Sequence, residues 1–329
     1  MVLCLPGTTV IDATMILVHE LRRVNRSRPN RRAAGPLENS DNGAMHPYLL
    51  HNDEIRPTRD SLIAPGQVGF LNGWGVFTTI RVYDGVMFAW ERHWARLCRD
   101  AKKMYVPMPE QCEWLEAQLH KLIEANHAME ATLRVAIVRN KGGMFEGPDI
   151  EREFDVIAFT RDVANWGESV KLGIVPQARH AASEFAGVKF TSWAQNLTWY
   201  EQAHRRGLDE MVLLNERNEV SECTSANIFT VFGDRVFTPI LEASGCLAGI
   251  TRDVLLNDIQ IPGVEIAEHV LLPADLQSAD EVFITSTTRE ILPVTSVEGL
   301  SIKAGRKMIP RLQEAFTAYH RNYAVLKKH

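Results

Sequence analysis

A lysine set among small, apolar and hydroxyl side chains is the first residue in this chain that could do chemistry. Lys189 lies in Ala186-Gly187-Val188-Lys189-Phe190-Thr191-Ser192-Trp193. Burial there would disfavour the ammonium form and lower the pKa, as Schiff-base chemistry requires. Glu222 follows 33 positions later, in Val220-Ser221-Glu222-Cys223-Thr224-Ser225-Ala226-Asn227-Ile228-Phe229, a short polar stretch leading into the apolar start of a strand. Gly249-Ile250-Thr251-Arg252-Asp253-Val254-Leu255-Leu256 has the pattern of a glycine turn opening an amphipathic helix. The first amides of that helix, Ile250 and Thr251, would face an anion. Glu281-Val282-Phe283-Ile284-Thr285 reads as a strand running into Ser286-Thr287-Thr288, where hydroxyls and backbone amides can share phosphate oxygens.

Each piece alone has an ordinary explanation. An isolated lysine is usually a surface residue with its stem along apolar neighbours, and Glu222 could be a hairpin-turn residue. A helix cap and a Ser/Thr turn are common in any protein. The set together supplies what pyridoxal 5'-phosphate needs: an amine for its aldehyde, an acid for its ring nitrogen and a cluster of donors for its phosphate. A carboxylate against the ring nitrogen keeps it protonated, and a protonated ring is an electron sink for the substrate α-carbon.

In order and spacing these segments resemble the fold-type IV pyridoxal-phosphate enzymes, or class IV aminotransferases. That family comprises branched-chain aminotransferases, D-amino-acid aminotransferases and aminodeoxychorismate lyases. The likeness runs from about Tyr48 almost to the C-terminus. It is carried by Lys189, the 221–229 segment, Gly249-Ile250-Thr251-Arg252-Asp253 and Phe283-Ile284-Thr285-Ser286-Thr287-Thr288-Arg289-Glu290-Ile291-Leu292-Pro293-Val294. The resemblance implies pyridoxal 5'-phosphate as cofactor, Lys189 as Schiff-base lysine and acid–base catalyst, and Glu222 as partner of the pyridine nitrogen. It implies that Arg96, in Glu91-Arg92-His93-Trp94-Ala95-Arg96-Leu97, binds the phosphate from the first helix of the small domain. Ile250, Thr251, Ser286 and Thr287 would complete the phosphate cup, Leu247 would lie against one ring face, and the Thr288 amide would receive the substrate carboxylate. Read without the family, Arg96 is a solvated helix-face cation and Leu247 a core side chain. The resemblance also implies a homodimer.

The motifs divide over the reaction. Residues 77–82 and 221–227 are closer to lyase sequence, whereas 249–253 and 285–294 are closer to the aminotransferases. Two tyrosines of branched-chain enzymes are missing, where this chain has Asn72 and Ser192-Trp193, and no Arg-x-His carboxylate trap of the D-amino-acid enzymes follows Arg139. The expected activity is transfer of an amino group from a branched-chain L-amino acid to 2-oxoglutarate. The alternative is aminodeoxychorismate lyase, releasing pyruvate and 4-aminobenzoate. Phe77, Arg81 and Trp193 are the expected pocket walls, against core packing for the aromatics and a strand-face ion pair for Arg81.

The chain's 329 residues, 45% hydrophobic and 23% charged, can bury substantial cores, and a net charge of −5 with interspersed signs offers no basic face for nucleic acid. No apolar run is long enough to span a membrane. Five scattered cysteines (Cys4, Cys98, Cys112, Cys223, Cys246) indicate neither a disulfide framework nor zinc, and the 11 histidines show no ligand spacing, so no metal is expected. A reducing, cytoplasmic compartment is the simplest inference. Cys223 would lie near the cofactor, as a space-filling residue.

Residues 1–44 form a distinct extension, with disorder expected over 25–43; an Arg-rich organellar presequence competes, weakened by Glu20, Glu38 and Asp41. The rest predicts an α+β fold-type IV architecture: a small α+β domain over 45–160, a linker over 161–169, and a larger barrel-like domain over 170–329 with the cofactor in the cleft between them. Strands are expected at 48–51, 131–139, 154–160, 170–175 and 211–214, with hairpins over 76–90 at Asp84-Gly85 and over 228–237 at Gly233-Asp234. Helices are expected at 91–104, 110–126 and 196–206.

Overall fold

A computed structural model of the chain describes residues 43–60, 63–64, 66–144, 146–148 and 150–328. Cys4 and the extension through residue 42 lie outside the described residues. Strands β1 (Met45–His51), β2 (Glu54–Pro57), β3 (Gly75–Tyr83), β4 (Val86–Met87), β5 (Ala131–Arg139) and β6 (Phe154–Arg161) make one antiparallel sheet, ordered β2-β1-β6-β5-β3-β4. The β3–β4 turn needs positive φ at two successive residues, and Asp84 (50°) and Gly85 (78°) supply it. Helices α1 (Trp90–Lys103) and α2 (Cys112–Ala125) pack on this sheet through Leu97, Ala101, Leu115, Leu119 and Leu122.

Helix α1 turns two different stripes inward. Trp90, Leu97 and Ala101 join the apolar core, while His93, Arg96 and Asp100, at i, i+3 and i+7, are buried polar residues one face round. That second stripe faces the site described below.

The second sheet contains β7 (Val170–Arg179), β8 (Glu210–Asn215), β9 (Val220–Cys223), β10 (Asn227–Phe232), β11 (Arg235–Pro239), β12 (Glu265–His269), β13 (Glu281–Ser286) and β14 (Glu290–Val297). Its order is β12-β11-β10-β13-β14-β7-β8-β9, and it curls until the Cys223 N–H donates to Ala226 O at 2.7 Å, bringing β9 beside the start of β10. The core within the curl includes Leu172, Val212, Ile228, Val282, Ile284 and Leu292. Helices α4 (Ile250–Asn257) and α5 (Ile309–Lys327) cover another face, against Phe229 and Phe283, whose rings stack at 4.9 Å; helix α3 (Ala194–Arg205) connects β7 to β8. Each such fully buried ring contributes about 1.5–3 kcal/mol relative to exposure.

The fold class is the expected α+β one, and two local expectations change. The first hairpin ends at Met87, and Trp90 already opens α1. Strand β7 continues past residue 175 to Arg179, across a register shift at which Gln177 has φ of 51°. Such a bulge re-aims the side chains beyond it. Glu222 lies within strand β9, paired with Leu213 of β8.

Candidate active site

A cavity of 670 Å3 lies between the two sheets, within the size range of small-molecule sites. Lys189, Glu222, Arg96, Leu247, Ile250, Thr251, Ser286, Thr287, Phe77, Trp193 and Thr288 all line it. Segments from residue 77 to residue 288 thus converge on one space.

The Lys189 backbone is held by two partners. Its carbonyl accepts the Phe77 N–H at 3.0 Å, and its own N–H donates to Asp100 Oδ2 at 3.0 Å. Gly187, with φ of 71°, lets the segment approach the Cys246 carbonyl, where a Cβ would collide. The Lys189 Nζ lies 4.5 Å from the Phe77 ring centre and 5.2 Å from that of Trp193, and the two rings meet edge to face. Burial, with the Arg96 and Arg134 cations nearby, brings the amine from 10.5 down to about 7, although Glu222 and Asp100 oppose the shift. Half of the amine is therefore neutral near pH 7. With an amine-arylating reagent and peptide mapping, Lys189 should gain reactivity with a midpoint near pH 7, while surface lysines respond only above about pH 10. A midpoint shared with the surface lysines would contradict this electrostatic account.

Glu222 is 8% exposed. Its Oε1 accepts Arg179 Nε at 3.0 Å and its Oε2 accepts the Leu247 N–H at 3.1 Å, which fix the carboxylate and leave it further acceptor capacity. Arg179 also reaches Asn196 Oδ1 at 3.2 Å.

At the other end, Arg96 Nη1 donates to Ala248 O and Nη2 to Thr78 Oγ1, both at 2.9 Å. Because the Thr78 oxygen accepts from Arg96, its single proton is free for His93 Nδ1, 2.6 Å away. The imidazole then carries its proton on Nε2. Burial, then the Arg96 and Lys189 charges, hold His93 well below its ordinary value, so it stays neutral beside them. Burial lowers Arg96 itself to about 10, and its Nε is a buried donor with no partner among the described residues. Helix α4 starts at Ile250 after Gly249, with no side-chain cap. An orphaned guanidinium donor, an uncapped helix N-terminus and the hydroxyls of Ser286 and Thr287 together suit a phosphate.

Several residues at the site escaped the sequence reading. Arg134 of β5 lines the cavity with its guanidinium 3.8 Å over the Phe77 ring, and no carboxylate pairs with it among the described residues. Burial, with Arg161 adding like charge, lowers Arg134 to about 10. Beneath the 286–289 turn, Arg289 pairs with buried Glu210 at 3.2 Å, donates to Ser225 Oγ at 2.8 Å and lies 3.8 Å over the Trp166 ring. The i−3 and i+4 positions of Arg96 were a readable signal for His93 and Asp100; no local signal marked Arg134 or Arg179. Arg81 needs correction, since it is not among the lining residues and donates instead to Glu130 Oε2 at 2.6 Å and to Val82 O. Cys223 packs into the core inside the curled sheet, not against the cavity. Cys98, Cys112, Cys223 and Cys246 are free thiols, and no group of His, Cys, Asp or Glu among the described residues is placed to hold a metal. No described helix is long and apolar enough to cross a membrane.

The family model for amino-transferase class IV matches residues 75–297. The branched-chain-amino-acid aminotransferase of Escherichia coli is 30% identical over 287 residues, covering 82% of this chain and 91% of that one. A D-alanine aminotransferase of Listeria innocua is 27% identical over 263 residues, covering 79% and 90%. The crystal structure of the Escherichia coli branched-chain enzyme superposes with a TM-score of 0.76 at 27% identity, covering 84% of this chain and 95% of that one.

Proposed function

This chain belongs to the class IV aminotransferases, and we propose that it uses pyridoxal 5'-phosphate, held by Lys189, to move the amino group of a branched-chain L-amino acid to 2-oxoglutarate. The observation that carries this reading is the convergence of Lys189, Glu222, Arg96 and the α4 N-terminus on one cavity. Bound there, the cofactor would supply an aldehyde that condenses with amines and a pyridine ring that takes up electron density from the substrate α-carbon. Residues 45–160 and 170–329 would be the two domains flanking it.

Lys189 Nζ would act as the base that takes the substrate α-proton and as the acid that returns a proton. Its lowered pKa lets it do both near neutrality. Glu222 holds a proton at the ring nitrogen, kept in orientation by Arg179 and the Leu247 amide. Arg96, Ile250, Thr251, Ser286 and Thr287 bind the phosphate, Leu247 lies against the ring, and the Thr288 amide takes the substrate carboxylate. Phe77 and Trp193 give the substrate apolar walls and limit water around the amine.

Arg134 extends the reading to the acceptor. A mostly desolvated guanidinium with no carboxylate of its own in a substrate cavity favours a ligand that brings one. We assign it to the distal carboxylate of 2-oxoglutarate, a group leucine, isoleucine and valine lack. Arg134→Met should then raise KM for 2-oxoglutarate by about 10- to 100-fold, the worth of a hydrogen bond to a charged group, and raise KM for 4-methyl-2-oxopentanoate far less. Equal losses on both acceptors would contradict the assignment.

A homodimer belongs to the same proposal; Phe70 and Leu71, 53% and 66% exposed on the 68–72 helix, are apolar surface that an interface would cover. A coupled assay of leucine, isoleucine and valine with 2-oxoglutarate tests the activity. Pyruvate and 4-aminobenzoate formed from aminodeoxychorismate, with no amino acceptor, would instead identify a lyase.

A further inference from the structure

The segment that carries Lys189 is not an ordinary strand. It touches β3 through the Val76–Phe190 bridge, the Phe77 N–H to Lys189 O bond at 3.0 Å and the Thr191 N–H to Gly75 O bond at 2.9 Å. In a regular antiparallel pair the Lys189 N–H would return a bond to the Phe77 carbonyl, but that reciprocal bond is not made and the N–H needs another partner. Asp100 provides it, at 3.0 Å, from the polar stripe of α1. The Asp100 side chain is 2% exposed, and its other oxygen accepts Arg99 Nε at 3.0 Å and Nη2 at 2.7 Å. A carboxylate is a costly group to bury, and a backbone amide alone could be satisfied by a neutral oxygen. What the charge adds lies in its surroundings.

The charges facing the Lys189 amine are Arg96 of α1 and Arg134 of β5, which disfavour its protonation, and Glu222 of β9 and Asp100 of α1, which favour it; neutral His93 stands behind Arg96. One side chain thus touches both the position and the charge of the lysine. We propose that Asp100 is a positioning residue for Lys189, its buried carboxylate anchoring the 188–190 backbone so that the ε-amine projects into the cavity. Arg96 and Asp100 are one helical turn apart, so a single rigid helix sets the spacing between the phosphate site and the lysine. The inference rests on Lys189 being the reactive amine of the proposed function.

The test uses the full chain without cofactor or substrate, so it remains decisive even if the chain were found not to transaminate. Amide hydrogen exchange at Lys189 reads the backbone anchor, and the pH midpoint of Lys189 arylation reads the charge. Asp100→Asn retains an acceptor oxygen and should keep the Lys189 amide protected while lowering the midpoint by about one unit. Asp100→Ala should lower the midpoint similarly and speed amide exchange by about tenfold or more. Asp100→Ser replaces the alanine variant if that variant does not fold, with the same expected loss of protection. A Lys189 amide equally protected in the Asn and the Ala or Ser variants, or a midpoint that moves in none of them, would reduce Asp100 to packing and overturn the proposal.

Discussion

Lys189→Ala is expected to abolish the visible absorbance that pyridoxal phosphate acquires on binding, and to lower turnover by about 10^4-fold or more, the upper range for removing a general acid–base group. The loss should be chemical rather than structural. The backbone at 189 is held by Phe77 and Asp100 and does not depend on the side chain, and the nearest rings, Phe77 and Trp193, keep their edge-to-face contact without it. Circular dichroism and melting temperature should therefore stay near wild type, and the phosphate end of the site, built from Arg96, α4 and the 286–287 hydroxyls, should still bind the cofactor noncovalently. Retention of more than about a hundredth of wild-type turnover would remove Lys189 from the mechanism.

Glu222→Gln comes next in size and separates two roles of the same carboxylate. As an anchor, Glu222 accepts from Arg179 Nε and the Leu247 N–H, and a glutamine oxygen can keep the first of these bonds. As a partner for the ring nitrogen, it must be anionic, because only then does it hold a proton there. The variant should bind pyridoxal phosphate but exchange the α-proton of leucine for deuterium about 10^2- to 10^3-fold more slowly, the usual cost of losing one preorganised electrostatic group. An unchanged exchange rate, followed by proton NMR, would leave Glu222 as an anchor for Arg179 and nothing more.

The parts of this site that lie within one segment were legible before any coordinates. Asp84-Gly85 announced its hairpin because only a few residues tolerate two successive positive φ angles, and Gly249-Ile250-Thr251 announced a helix start. Glu222 was harder. Strand β9 is buried at all four positions, so Val220-Ser221-Glu222-Cys223 shows no alternation and its polar members look like a turn. Arg179 was hidden for a related reason: Pro176 and Gln177 break the pattern of β7, and the strand resumes beyond a bulge.

Arg81 shows the limit of strand periodicity. Phe77, Thr79 and Arg81 share one face of β3, but two residues advance a strand by about 6.6–6.8 Å. Phe77 and Thr79 line the cavity, whereas Arg81 has passed its end and meets Glu130. Arg134 carried no local signal at all. Its meaning depends on Phe77 across the β3–β5 pairing and on the lack of a carboxylate near it among the described residues, both properties of the assembled sheet.

The most direct measurement of the central claim is borohydride reduction of the protein incubated with pyridoxal phosphate at about pH 7, followed by proteolysis and mass spectrometry. One phosphopyridoxyl group per chain, on the peptide containing Lys189, is the expected result. Labelling spread over surface lysines, or absent from Lys189, would contradict it.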